Sequence, residues 1–211
     1  MDLSRLNLQD AQGQPQLTYL NDLCEALIRV EEQYCRWPAN NRHHIQKIER
    51  VFCYELYHQF RLRTINNNNY DRFRMDGENY KNLTPEVVHP CGTNYAVAQD
   101  QFSPDFVLHL GQLNRDVDNQ LLAIEAKTRS VGDDEIAKTI IKLNHYIRVL
   151  NFQFAVFISV NTQLSKLKQK IRRIFIRPIN GILSPNSARI IIINYKNRRI
   201  DMETLYNILH P

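Results

Sequence analysis

The sequence predicts an α/β fold: a central mixed β-sheet flanked by helices, with an extra helix at the N-terminal side. Three observations predict it. Apolar residues recur at helical spacing in the first third of the chain, short β-type runs follow from about residue 86, and helical and extended stretches then alternate. The 211 residues, 43% hydrophobic and 23% charged, suit one globular domain over 1–211. Within it, 1–40 reads as a helical extension and 161–211 as the C-terminal part of the same domain.

Thr18 to Tyr34 carries apolar residues at 20, 23, 27 and 30, one face of a helix. Trp37-Pro38-Ala39-Asn40-Asn41 ends it and opens a second helix from about His44 to Arg63, with Ile45, Ile48, Phe52, Leu56 and Phe60 as its stripe. Asn66 to Asn82 is polar, includes Asp76-Gly77, and reads as a long mobile loop. Three β-type runs come next: Glu86 to His89, Asp105 to Leu110 and Leu121 to Lys127, with Gly111 to Asn119 as a polar turn. Gly132 and the acidic residues after it open a helix to about Leu150, whose core face is Ile136, Ile140, Leu143 and Ile147. Phe154 to Val160 is a buried strand, Gln163 to Arg173 a basic helix, and Ile190 to Asn194 a further strand.

Several function classes fall away. The six glycines are widely separated, so no glycine-rich phosphate loop can be written. Cysteines 24, 35, 53 and 91 match no zinc spacing. On one helix, Cys24 and Cys35 would lie ~16 Å apart, too far to bridge, so reduced buried thiols are expected. No apolar run approaches the ~20 residues of a membrane span, and Met1 to Gln16 is unlike a signal peptide. A cytoplasmic protein with no membrane association is expected. Residues 161–211 hold ten Lys or Arg against Asp201 and Glu203, which suits a polyanion partner or, equally, a solvated basic face.

The sharpest chemical pattern lies between Pro104 and Lys127. Side chains at i and i+2 of a strand share a face, so Glu125 and Lys127 project together, while Leu122, Ile124 and Ala126 turn to the other layer. If the two runs pair, Asp105 converges on the same spot. Two carboxylates and the Ala126 carbonyl then make an oxygen-rich site suited to Mg²⁺, and a lysine beside it can orient water or stabilise charge on phosphate. An edge-strand ion pair between Glu125 and Lys127 is the plainer alternative. Glu55 lies on one flank of the second helix's apolar stripe and Glu49 on the other. His109, four residues past Asp105, reads as a strand-end surface residue, and Tyr57 and Tyr146 as interfacial core.

Pro104-Asp105…Glu125-Ala126-Lys127 resembles the signature of the PD-(D/E)XK nuclease superfamily, whose fold is restriction-endonuclease-like. Tyr54-Glu55-Leu56-Tyr57-His58-Gln59-Phe60-Arg61 resembles the first-helix motif of uncharacterised bacterial members, and Lys142-Leu143 a motif of their later helix. The resemblance covers roughly residues 44 to 160. It implies a nuclease that hydrolyses phosphodiester bonds with Mg²⁺ or Mn²⁺, acting on nucleic acid and on DNA in particular. Asp105, Glu125 and the Ala126 carbonyl would hold the metal, and Lys127 would orient the water. Glu55 would be the helix carboxylate completing the site and a further ligand, with Glu49 and Glu86 as rivals. Lys166, Lys168, Lys170, Arg172 and Arg173 would hold backbone phosphates, and a homodimer is compatible with this. The alternative is a non-catalytic nucleic-acid- or protein-binding module on the same fold.

Overall fold

The computed structural model of the chain describes residues 15–35, 45–77, 103–110, 117–175 and 186–211. Six strands form one open mixed sheet in the order β1-β2-β3-β4-β5-β6. The strands are β1 (Arg74–Gly77), β2 (Phe106–His109), β3 (Gln120–Lys127), β4 (Phe154–Val160), β5 (Ile190–Lys196) and β6 (Arg199–Thr204). β3, β4 and β5 run parallel, and antiparallel partners continue the sheet on both sides. The three parallel strands are buried along almost their whole length, as expected where helices cover both faces.

The helices divide between those faces. α1 (Pro15–Arg29), the short α2 (Glu32–Cys35) and α3 (Ile45–Thr64) cover one. α4 (Asp133–Arg148), α5 (Leu164–Ile174) and α6 (Leu205–Leu209) cover the other. Strand alternation sorts the core accordingly. Leu122, Ile124 and Ala126 meet the first group, whereas Ala123 joins the second together with Phe157 and Ile192. The expected apolar residues Leu20, Leu23, Leu27 and Val30 are fully buried, as are Ile136, Ile140 and Leu143. Phe52, Leu56 and Phe60 of α3 are buried too. The acidic first turn of α4, Asp133 to Glu135, complements its N-terminal dipole.

Four expectations change. Within the loop expected over 66–82, Asn68–Tyr70 is a 3₁₀ turn and Arg74–Gly77 is the first strand, while 78–82 lie outside the described residues. Composition hid this, because the segment buries only two side chains. Tyr70 packs edge-on to Tyr19 and Phe60, with ring centroids 4.9 and 5.6 Å away, and Met75 points into the core. His109 is no surface residue; it is wholly buried, with Nε2 2.8 Å from Asp76 Oδ2 on β1. The first helix ends at Arg29, and a separate turn, α2, carries the chain on to Cys35. The pattern beyond Asn194 assigned nothing, yet β6 and α6 lie there. The strand expected at Glu86 to His89 and the turn at Trp37 to Asn41 fall outside the described residues. Cys24, Cys35 and Cys53 are buried.

One polar network fastens α1 to α3 and to the 3₁₀ turn. Asp22 accepts from Arg63 Nε at 2.5 Å and from the Tyr70 hydroxyl at 2.7 Å, and Tyr19 donates to the Asn69 carbonyl at 3.0 Å. Asp22→Ala strands a buried hydroxyl and an arginine together, so it should cost about 2–3 kcal/mol. Tyr70→Phe removes one hydrogen bond and should cost about 1 kcal/mol. Urea unfolding of the two variants beside wild type measures both, and equal small losses would contradict the network.

Candidate active site

Asp105 and Glu125 meet at the C-terminal end of β3. The β2–β3 ladder pairs Phe106 with Ile124 and Val107 with Ala123, so its continuation sets Asp105 across from Glu125. Directly opposed residues of an antiparallel pair share a face. Asp105 fixes itself there by accepting from the Ala126 backbone N–H at 2.7 Å. Glu125 is buried, and its Oε1 receives the Tyr146 hydroxyl at 2.7 Å and the Lys142 ammonium at 2.6 Å, both from α4 and one turn apart. Lys127 donates to Glu49 Oε1 at 2.6 Å.

The carboxylate that α3 contributes is therefore Glu49. Six residues along a helix is a rotation of about 120° from its nearest face, so Glu49 and Glu55 cannot address the same place. Glu55 instead accepts from Gln59 of its own helix at 2.7 Å. This corrects the expectation that Glu55 is the helix carboxylate of the site. Glu86 lies outside the described residues. Cys53, one turn after Glu49, backs the cluster; burial, then Asp105 and Glu49, pushes its thiol far above the ordinary range, so it is an inert neutral group.

Electrostatics set the character of the cluster. Burial, then the Glu125 charge, raises the Asp105 carboxyl from its ordinary 3.8 to about 6, against the pull of Lys127 and the Ala126 N–H. Burial likewise raises Glu49, partly offset by Lys127. For Lys127 burial acts downward, but Asp105, Glu49 and Glu125 outweigh it and hold the ammonium charged above its ordinary value. The Tyr146 hydroxyl is held protonated by burial and by Glu125, and so remains a donor. Three carboxylates against two ammonium groups leave a net charge of −1.

The donor set suits a hard divalent cation of modest demand. Among the described residues no group of three or more acidic, histidine or cysteine side chains is gathered for a metal. Mg²⁺ commonly takes one or two carboxylates and completes its shell with water and phosphate oxygens. Asp105 and Glu125 each have one oxygen beyond those already bonded, and both are oriented by neighbours. Lys142 and Tyr146 join the cluster as well; the sequence offered Lys142 only within the resembling helix motif and Tyr146 only as interfacial core. Their signal was a lysine and a tyrosine at i and i+4 beside the apolar face of α4.

The basic α5 is largely occupied within the chain. Lys168 pairs with Glu203 at 3.2 Å and Arg173 with Asp133 at 2.5 Å. Lys170 donates to the Val131 carbonyl and Arg172 to that of Ile208. Lys166 is exposed, and Arg172 and Arg173 keep exposed surface despite their bonds.

Among the described residues no helix is long and apolar enough to cross a membrane. Compared with protein-family models, curated proteins and solved structures, the chain matches none.

The raised Asp105 carboxyl makes this residue a cost to stability near neutral pH. An unfolded aspartate releases its proton near 3.8, whereas the folded one holds it to about 6. The stability present below about pH 4 is thus lost as pH rises through 6. Asp105→Asn keeps an acceptor for the Ala126 N–H and removes the charge. At pH 7.5 the variant should be the more stable by about 2 kcal/mol, or ~4–8 °C in Tm, and at pH 4 the two should melt alike. Calorimetry at both pH values checks this, and a less stable variant at pH 7.5 would contradict it.

Proposed function

We propose that the chain is a metal-dependent nuclease with a restriction-endonuclease-like arrangement, hydrolysing phosphodiester bonds in DNA. One observation carries this: Asp105 stands across from Glu125 on neighbouring strands, with Lys127 two residues further along the same face. The resemblance of these residues to the PD-(D/E)XK signature supports the same chemistry. Asp105 and Glu125 would hold Mg²⁺ or Mn²⁺. When bound, the ion supplies Lewis-acid polarisation of the phosphate and a more acidic water.

The chain's own groups do the rest. Lys127, kept cationic by three carboxylates, faces the negative charge that grows on the phosphate and orients the attacking water. Glu49 holds that ammonium at one position. Tyr146 and Lys142 fix the rotamer of Glu125, and its other carboxylate oxygen would be the one to hold the ion. Lys166 and the exposed parts of Arg172 and Arg173 would meet the phosphate backbone.

A second reading is favoured by the same hydrogen bonds. Lys127–Glu49 and Lys142–Glu125, each at 2.6 Å, satisfy the charges without any ion, as a non-catalytic binding module would require. Metal separates the two. In the nuclease, millimolar Mn²⁺ raises Tm, because an ion that binds the native state alone stabilises it. No shift in wild type at neutral pH would favour the module.

Lys127→Met and Glu49→Gln test the assignment by plasmid cleavage with Mg²⁺ or Mn²⁺. Lys127→Met should retain the Mn²⁺ shift and lose roughly 10²–10³ in rate. Glu49→Gln should cut more slowly than wild type, while Glu55→Gln should cut like it. If Lys127→Met and Asp105→Asn both cut at the wild-type rate, the activity belongs elsewhere and the proposal fails.

A further inference from the structure

A second polar concavity lies on the same edge of the sheet, beyond the C-terminal ends of β4 and β5 and at the N-terminus of α5. It has a volume of about 760 Å³, and Thr162, Gln163, Ser165, Asn194, Lys196 and Arg199 are among its lining residues. We propose that this cleft binds the phosphate of a phosphomonoester. The proposal is independent of the nuclease assignment, because none of these residues belongs to the acid cluster.

Buried polar atoms with nothing to bond to point to a ligand. Asn194 is only 3% exposed, lines the cleft, and its Oδ1 has no hydrogen-bond partner. Thr162 Oγ1 and Ser159 Oγ are buried in the same condition, and Ser159 is the register partner of Asn194 across β4 and β5. Leaving a buried polar group unpaired is costly, so two on the cleft wall with a third beside them call for an occupant. The two hydroxyls can donate to phosphate oxygens, and the Asn194 amide, whose oxygen accepts and whose nitrogen donates, can turn its nitrogen to one or accept from a phosphate hydroxyl.

The helix adds fixed donors. Gln163 caps α5 in an extended conformation and makes no side-chain cap bond. The first-turn N–H groups of Leu164, Ser165 and Lys166 have no partner within the helix, and the dipole there favours negative charge. In open α/β sheets, ligands collect outside the carboxyl ends of parallel strands, where this cleft sits.

The sheet adds charge. Lys196 and Arg199 stand directly opposite each other across β5 and β6, and both line the cleft. Like charges in that position repel, which an anion between them would reverse. The turn joining them, Asn197-Arg198, has both residues left-handed, at φ 51° and 58°. That is the two-residue hairpin geometry that sets the strands in tight register, and an arginine adopts it at a cost. Asp201 lies on the same wall, opposite Asn194, so the side chains contribute a net +1 to which the helix terminus adds. The volume exceeds that of phosphate itself and leaves room for the esterified group.

The test is titration of ¹⁵N-labelled protein, at fixed ionic strength, with inorganic phosphate and with a nucleoside 5′-monophosphate. Saturable shifts are expected at the amides of Leu164 to Lys166. Combined Lys196→Gln and Arg199→Gln, at the cleft's outer wall, should weaken binding at least about tenfold, and Asp105→Asn should leave it unchanged. Asn194→Asp, isosteric but anionic, should abolish it; if that variant fails to fold, the double variant decides. A 5′-phosphorylated oligonucleotide and its 5′-hydroxyl twin identify the source. A preference for the former that disappears in the double variant assigns a strand end, and binding of the mononucleotide alone assigns a free nucleotide. No saturable shift at millimolar phosphate, or equal binding by the double variant, overturns the proposal.

Discussion

A single hydrogen bond, from the Ala126 N–H to Asp105 Oδ2 at 2.7 Å, organises the end of the sheet on which everything else is arranged. Up to Phe106 the β2–β3 ladder runs on backbone groups. One residue earlier a side-chain carboxylate takes over the acceptor's role, so the strand stops and an acid is left at its tip. β3 continues past that point with Glu125 and Lys127, and α3 and α4 must close over a charged strand end. They do so with polar residues one turn apart, Glu49 and Cys53 from one side and Lys142 and Tyr146 from the other. Without the register that this bond marks, the same residues would be scattered, since a slip of one position sends a strand's side chains to the opposite face.

The cluster is balanced against itself. Removing either ammonium would leave a buried carboxylate uncompensated, and removing an acid would leave Lys127 or Lys142 with a weakened partner. Such mutual dependence makes deletions at this site strongly non-additive, as expected for groups sharing one buried network. It also keeps the side chains in place before any ligand arrives, which is how a site avoids reorganising at the moment of reaction.

The elements with one dominant periodicity were legible in the sequence. β4, bounded by residues 154 and 160, and α4, with Ile136, Ile140 and Leu143 inward, came through with their cores intact. The Asp105–Glu125 pairing was legible too, because two β-type runs joined by a polar turn have few other ways to meet. What escaped depends on distant contacts. β1 is a strand only because β2 lies beside it, and its pattern of one buried side chain in four residues is no signal alone. β6 alternates correctly, but its outward residues are so polar that the run resembles a loop. Which glutamate of α3 reaches the site turned on the direction of approach of the helix, and both flanks of its stripe carried one. His109 misled for a like reason: its partner Asp76 sits on a strand that could not be foreseen.

The sheet order has a consequence for how the molecule is assembled. Among the described residues each strand pairs with its neighbour in sequence, so the sheet can grow by one neighbouring strand at a time. Growth in that order exposes a hazard. When β5 has docked on β4 and β6 has yet to arrive, the run Ile190 to Ile193 presents an open, apolar, β-branched edge of the kind that templates aggregation. β6 covers it with a charged ribbon, Arg199, Asp201 and Glu203 alternating along it, and a turn of two residues makes that closure a local event on the microsecond scale. The strained Asn197-Arg198 turn therefore also shortens the interval in which the nascent sheet is adhesive.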